Sequence, residues 1–163
     1  MNQAHLHLVI THLPKFGSFF GLLVLAYGML YKSQHTVIAA YFIFIISAIG
    51  AAIAYYTGEA AEEVVEKIKE VSETVIKQHE SFAIYALISF IVLGVFAVGA
   101  YIITTFYSVY SKATAPVVLI IALFSLGLSG WTGYLGGKIR HTEVNAATGI
   151  PIQNSEKEKD KDD

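Results

Sequence analysis

Apolar residues fill four long stretches of this chain, and charged residues fall between them. Thr36 to Gly58, Ser81 to Tyr110 and Ala113 to Gly137 contain no charged side chain. Each is long enough to cross the hydrocarbon core of a bilayer, which takes about 20 helical residues. One aspartate or lysine at mid-span would cost about 2.5–3.5 kcal/mol on the insertion scale, so the absence of charge is informative. The apolar stretch Phe16 to Tyr31 is shorter, and Pro14 and Lys15 precede it. Two readings of this first span are open. In the preferred one the helix starts at Thr11 as N-cap, with Pro14 in the first turn, where its missing N–H costs nothing. Lys15 then snorkels to the interface. In the other reading the helix runs back to about His5 and kinks at Pro14.

This pattern predicts an all-α protein: an integral membrane four-helix bundle with spans at about 11–31, 36–58, 80–110 and 113–137. Between spans 2 and 3, residues 59–78 form an additional amphipathic, polar helix. Ala61, Val64, Val65, Ile68, Val71, Ser72 and Val75 follow 3–4 spacing and give it one narrow apolar face. Glu63–Lys67, Lys69–Glu73 and Glu73–Lys77 are i,i+4 ion pairs. The helix either lies on the membrane or extends the spans into water. His79 continues the apolar stripe and so faces the bundle; the plainer alternative is a helix-end histidine bonded to nearby backbone. Residues 1–145 make up the membrane domain, and 146–163 are a disordered, mixed-charge tail. The N-terminus lacks the basic region and small-residue cleavage site of a signal peptide and is expected to be retained.

Composition narrows the class. The chain is 55% hydrophobic and 15% charged, against about 25% charged for an ordinary soluble domain. A net charge of −2 gives no field for nucleic acid. The absence of cysteine excludes disulfides, cysteine-held iron–sulfur clusters, thiolate catalysis and thioether-linked haem. Any metal must therefore be held by His, Asp, Glu or backbone, and any haem without a covalent bond.

Four spans put both termini on one side. All 13 acids lie there, as do all the basic residues except Lys32 and Lys112. Near the span ends, Lys15, Lys77, Lys138 and Arg140 outnumber Lys32 and Lys112, which makes that side cytoplasmic. His5, His7, His12, His79 and His141 share the same side, and only His35 lies opposite. They come from the mouth of span 1, the start of span 3 and the exit of span 4, which converge in a compact bundle. Imidazoles at the mouth of a membrane bundle mark a functional site. Taken singly, each is also at home at an interface.

The fourth span carries Gly127, Gly130, Gly133, Gly136 and Gly137. Helical glycine costs about 1 kcal/mol against alanine, so the run needs a reason. It is either close helix packing through small residues or room for a flat cofactor against bare backbone, at Gly130, Gly133 and Gly137. Lys138, Arg140 and His141 follow at once. A porphyrin needs axial imidazoles and cations for its propionates, and this end offers both.

These residues bring the chain to a resemblance. It resembles the bacterial membrane-protein family catalogued as domain of unknown function 2231, over roughly residues 5–145. The matching features are His7 with Thr11-His12-Leu13-Pro14, then Thr57-Gly58-Glu59 at the end of span 2 and His79-Glu80 at the start of span 3. Gly133-Tyr134-Leu135-Gly136-Gly137 followed by His141 completes the set. Leu13 stands where the family usually has phenylalanine, Lys15 where it has an apolar residue, and the acidic 59–78 segment is an elaboration. The resemblance implies a four-helix membrane domain of a bacterial inner membrane, multi-pass, without settled biochemistry. The joining of related domains to Rieske or cytochrome modules implies electron transfer near a quinone or a membrane redox partner.

Three functions follow. The first is a b-type cytochrome for electron transfer rather than catalysis. It holds haem b with His12 and His79 as the axial pair, His7 and His141 as substitutes or ligands of a second haem, and Lys138 and Arg140 on the propionates. The second is a Zn, Fe or Cu site drawn from His5, His7, His12, His79, His141, Glu59 and Glu80, for transport or sensing. The Glu-x-x-His pairing of di-iron bundles is absent, since Ile76 and Lys138 stand three residues before His79 and His141. The third is a cofactor-free structural or assembly subunit, with small-residue faces open to partner helices or to a homo-oligomer. No nucleophile–base pattern, phosphate loop or carboxylate within a span supports a hydrolase, a kinase or a proton-coupled transporter.

Overall fold

The computed structural model describes residues 3–65, 73–107 and 111–140. The helices are α1 (Gln3–Ile10), α2 (His12–Leu30), α3 (Gln34–Val65), α4 (Glu73–Phe106) and α5 (Ser111–Arg140). Four stretches are long and apolar enough to cross a membrane: Leu6–Leu30, Gln34–Gly58, Thr74–Phe106 and Ala113–Lys138. The all-α membrane bundle read from the hydrophobic pattern is the fold observed.

The first span is built from α1 and α2 together. Thr11 stays in the right-handed helical region (φ −62, ψ −19), and its side chain makes no forward cap. Its N–H still bonds His7 O at 3.0 Å, and its hydroxyl turns back to Leu8 O, also at 3.0 Å. Helix therefore precedes Thr11 instead of beginning there. The break at this point has a local cause. Pro14 offers no N–H to the carbonyl of Ile10, and its ring crowds that carbonyl.

The polar segment is not a separate element in its described parts. Residues 59–65 continue α3, and residues 73–78 open α4. No glycine or proline lies between Gly58 and Gln78 to stop either helix. Residues 66–72, and the side chains of the three proposed ion pairs other than Lys77, lie outside the described residues.

The turn from α2 to α3 is tight and held by backbone hydrogen bonds. Ser33 N–H donates to Gly28 O at 2.9 Å and Lys32 N–H to Met29 O at 3.3 Å, which satisfies carbonyls left open at the helix end. The turn needs a left-handed residue, and Lys32 supplies it at φ 55. Ser33 then caps α3, accepting from the Thr36 N–H at 3.4 Å.

Helices α2 and α3, α3 and α4, α4 and α5, and α5 and α2 pack in contact, which closes a ring of four, while α1 lies against α3. Gly17 and Gly21 on α2 let α3 come close, so that an added Cβ would run into Ser47 and Phe44. The core is a layer of Leu25, Tyr41, Phe44, Phe90, Leu93 and Val118, all buried. Above it, Ser18, Ser47 and Ser125 are buried too. Their hydroxyls bond carbonyls one turn back, and Ser125 also reaches Ser89 O at 3.1 Å. The outer surface is apolar, as a surface facing lipid must be: Phe20, Leu23, Ile46, Val95 and Phe124 are exposed. Trp131, Tyr134, Tyr85 and Tyr56 ring one end, and Tyr27, Tyr31 and Tyr107 ring the other.

Candidate imidazole site

The Trp131 end of the bundle gathers side chains that the sequence separates widely. His7 on α1 is half-buried against α3. Its Nδ1 lies 2.9 Å from Ala54 O and 3.3 Å from Thr57 Oγ1. A carbonyl can only accept, so Nδ1 carries the proton and donates. Nε2 of the neutral ring is then left with its lone pair. Gly58 makes the close seat possible, because a Cβ there would lie 3.3 Å from the ring's Cε1.

His79 on α4 repeats the arrangement against α5. Its Nδ1 donates to Thr132 O at 3.0 Å, and its Nε2 is again the free nitrogen. The Thr132 hydroxyl is shared between Leu128 O of its own helix at 2.9 Å and Phe82 O of α4 at 3.2 Å. The two helices are clasped at this level by one residue from each side. Gly136 leaves room for the ring, with an added Cβ falling 3.1 Å from Cε1. His79 lies within electrostatic range of His7, Lys15 and Glu80.

Lys15 is the third member of the group. It shares a face of α2 with Ser18, Leu22 and Leu25, at spacings of three, seven and ten residues, and all three are buried. Its side chain crosses to α5, where a Cβ on Gly133 would lie 2.7 Å from Nζ. It lies within range of both His7 and His79. The expected snorkelling outward is thus replaced by a reach across the bundle, because the helix register turns position 15 inward. Among the described residues its ammonium has no hydrogen-bond or ion-pair partner.

The other residues singled out in the sequence fall elsewhere. His12 is exposed and stacks on Phe16, with ring centroids 5.6 Å apart. It stands about 140° round the helix from His7, five residues away. His12 thus lies at the surface, whereas His7 and His79 are half-buried and within electrostatic range of each other. Lys138 is buried over the Tyr134 ring, 4.7 Å from its centroid. Gly133 and Gly136 accommodate Lys15 and His79, whereas Gly130 and Gly137 face open space. His5, Glu59 and Arg140 have side chains outside the described set, and His141 lies outside the described residues. His35 is exposed at the far end. Among the described residues no three His, Asp or Glu side chains converge as a metal-ligand set.

Lys15 and the carbonyls of Ala54 and Thr132 are the functional groups that residue-type reasoning passed over. A signal for Lys15 was available in its spacing to Ser18, Leu22 and Leu25. The backbone carbonyls leave no signal in side-chain identity.

No family model, no curated protein and no solved structure matches the chain.

Proposed function

We propose that this is a b-type cytochrome-like protein of the bacterial inner membrane, binding non-covalent haem between His7 and His79 and serving electron transfer. One observation carries the reading. Two half-buried imidazoles at one end of the bundle each spend Nδ1–H on a backbone carbonyl of a neighbouring helix, and among the described residues Nε2 has no hydrogen-bond partner. Metal-ligating histidines are held in this way: the outer bond fixes the tautomer and the ring orientation.

The donor chemistry suits haem b. Two imidazoles are what a six-coordinate haem takes from protein, whereas a zinc site takes three or four ligands. With no cysteine in the chain, attachment is non-covalent. When bound by two imidazoles, the group supplies a one-electron iron couple without an open position for oxygen. The chain's own residues do the rest. His7 and His79 bind; Ala54 O and Thr132 O orient them. Farther along the bundle, Leu25, Phe44, Phe90, Leu93 and Val118, each no more than 1% exposed, close the interior with apolar packing. A quinone or a membrane redox protein would meet the site at the Trp131 end, and the surplus of basic residues there supports a cytoplasmic orientation.

The test is the absorption spectrum of detergent-purified protein made with ample haem, first air-oxidised and then reduced with dithionite. A Soret band with visible bands that sharpen on reduction is the expected result. A featureless visible region overturns the proposal and leaves a metal site or a cofactor-free subunit, which elemental analysis of the same sample separates.

A further inference from the structure

Lys15 is the residue in the bundle that the two-histidine arrangement does not use. Its position is well determined by neighbours. The α2 face it shares with Ser18, Leu22 and Leu25 is buried, and Gly133 opens the room its stem and ammonium occupy. A cation drawn from water into a helix bundle costs free energy unless something anionic meets it. Among the described residues no carboxylate does so. Among the described residues, the titratable groups within electrostatic range of it are the imidazoles of His7 and His79, which offer no negative charge.

We propose that Lys15 is the subsite for an ionised carboxylate on the group held by His7 and His79. On the haem reading above, on which this inference rests, that carboxylate is a propionate. An ammonium fits this task because a charge-assisted N–H···O bond is about twice as strong as a neutral one. Of the other described cations at this end, Lys77 is exposed and Lys138 is placed over the Tyr134 ring. The role expected of Lys138 from its position in the sequence passes to Lys15, which reaches the histidines from across the bundle.

The test is reconstitution of the full-length protein in detergent with two probes, haemin and haemin dimethyl ester, which lacks free carboxylates. Binding is followed by Soret titration for the native protein, Lys15→Met and Lys138→Met. The native protein is expected to favour haemin by about tenfold, the factor carried by one charge-assisted bond. Lys15→Met is expected to bind both probes equally, with the visible spectrum unchanged because His7 and His79 both remain. Lys138→Met is expected to keep the preference. A preference that persists in Lys15→Met, or that disappears in Lys138→Met instead, overturns the subsite and leaves the haem reading standing. Failure of the native protein to bind either probe overturns both. Should Lys15→Met take up neither probe, Gly133→Leu gives the same comparison, since it fills the space used by the ammonium while Lys15 stays in the chain. Loss of the preference there supports the subsite, and its retention overturns it.

Discussion

At the scale of single residues, helix phase decides which chemistry becomes usable. His7 and His12 look equivalent as two histidines near one span, yet they stand on different sides of the helix. Only His7 meets α3, while His12 stacks on Phe16 at the surface. The sequence showed that histidines collect at one end of the bundle. It did not show which of them the bundle buries, because that depends on where helix begins, and it begins ahead of Thr11. The same phase argument turns Lys15 inward. Another residue-scale feature, Lys32, holds a left-handed conformation at φ 55 in the α2–α3 turn. For an L-residue this costs roughly 1–2 kcal/mol, which glycine avoids. Lys32→Gly is therefore expected to stabilise the protein by about 1 kcal/mol once glycine's extra chain entropy is deducted. Thermal unfolding in detergent reads this as a raised midpoint; an unchanged or lowered one contradicts it.

At the scale of elements, the glycines of α5 divide into two groups that look alike in the sequence. Gly133 and Gly136 leave room for side chains from α2 and α4, whereas Gly130 has nothing within 4 Å of an added Cβ. A three-residue repeat of glycine is visible in the chain; what approaches each one depends on the neighbouring helix and is not. Gly136→Ala places a methyl 3.1 Å from Cε1 of His79, and the ring cannot retreat without losing its bond to Thr132 O. Overpacking of this kind costs about 1–3 kcal/mol, so haem affinity is expected to fall by about tenfold. Gly130→Ala is expected to leave it unchanged. Equal effects of the two substitutions, measured by haem titration, would contradict the division. The polar 59–78 segment teaches a similar lesson. Its charge marks the end of the membrane but not the end of a helix, and α3 and α4 run on into it.

At the scale of the molecule, the bundle gathers two half-buried imidazoles and Lys15 at one end, beyond a closely packed apolar layer. The spans were legible because lipid tolerates neither charge nor open backbone, which makes their apolar windows unmistakable. The site was legible only as a concentration of histidine, since its defining feature is a pair of Nδ1–H bonds to backbone carbonyls of other helices. Those carbonyls, Ala54 O and Thr132 O, belong to residues with no distinctive chemistry of their own. The direct measurement of the whole arrangement is haem content per protein, by pyridine haemochrome, for the native chain and for His7→Ala, His79→Ala and His12→Ala purified alike. A full complement in the native chain and His12→Ala, with loss of most of it in both His7→Ala and His79→Ala, is the expected result. Full haem content in either of those last two variants, or loss in His12→Ala alone, would contradict the paired-imidazole site.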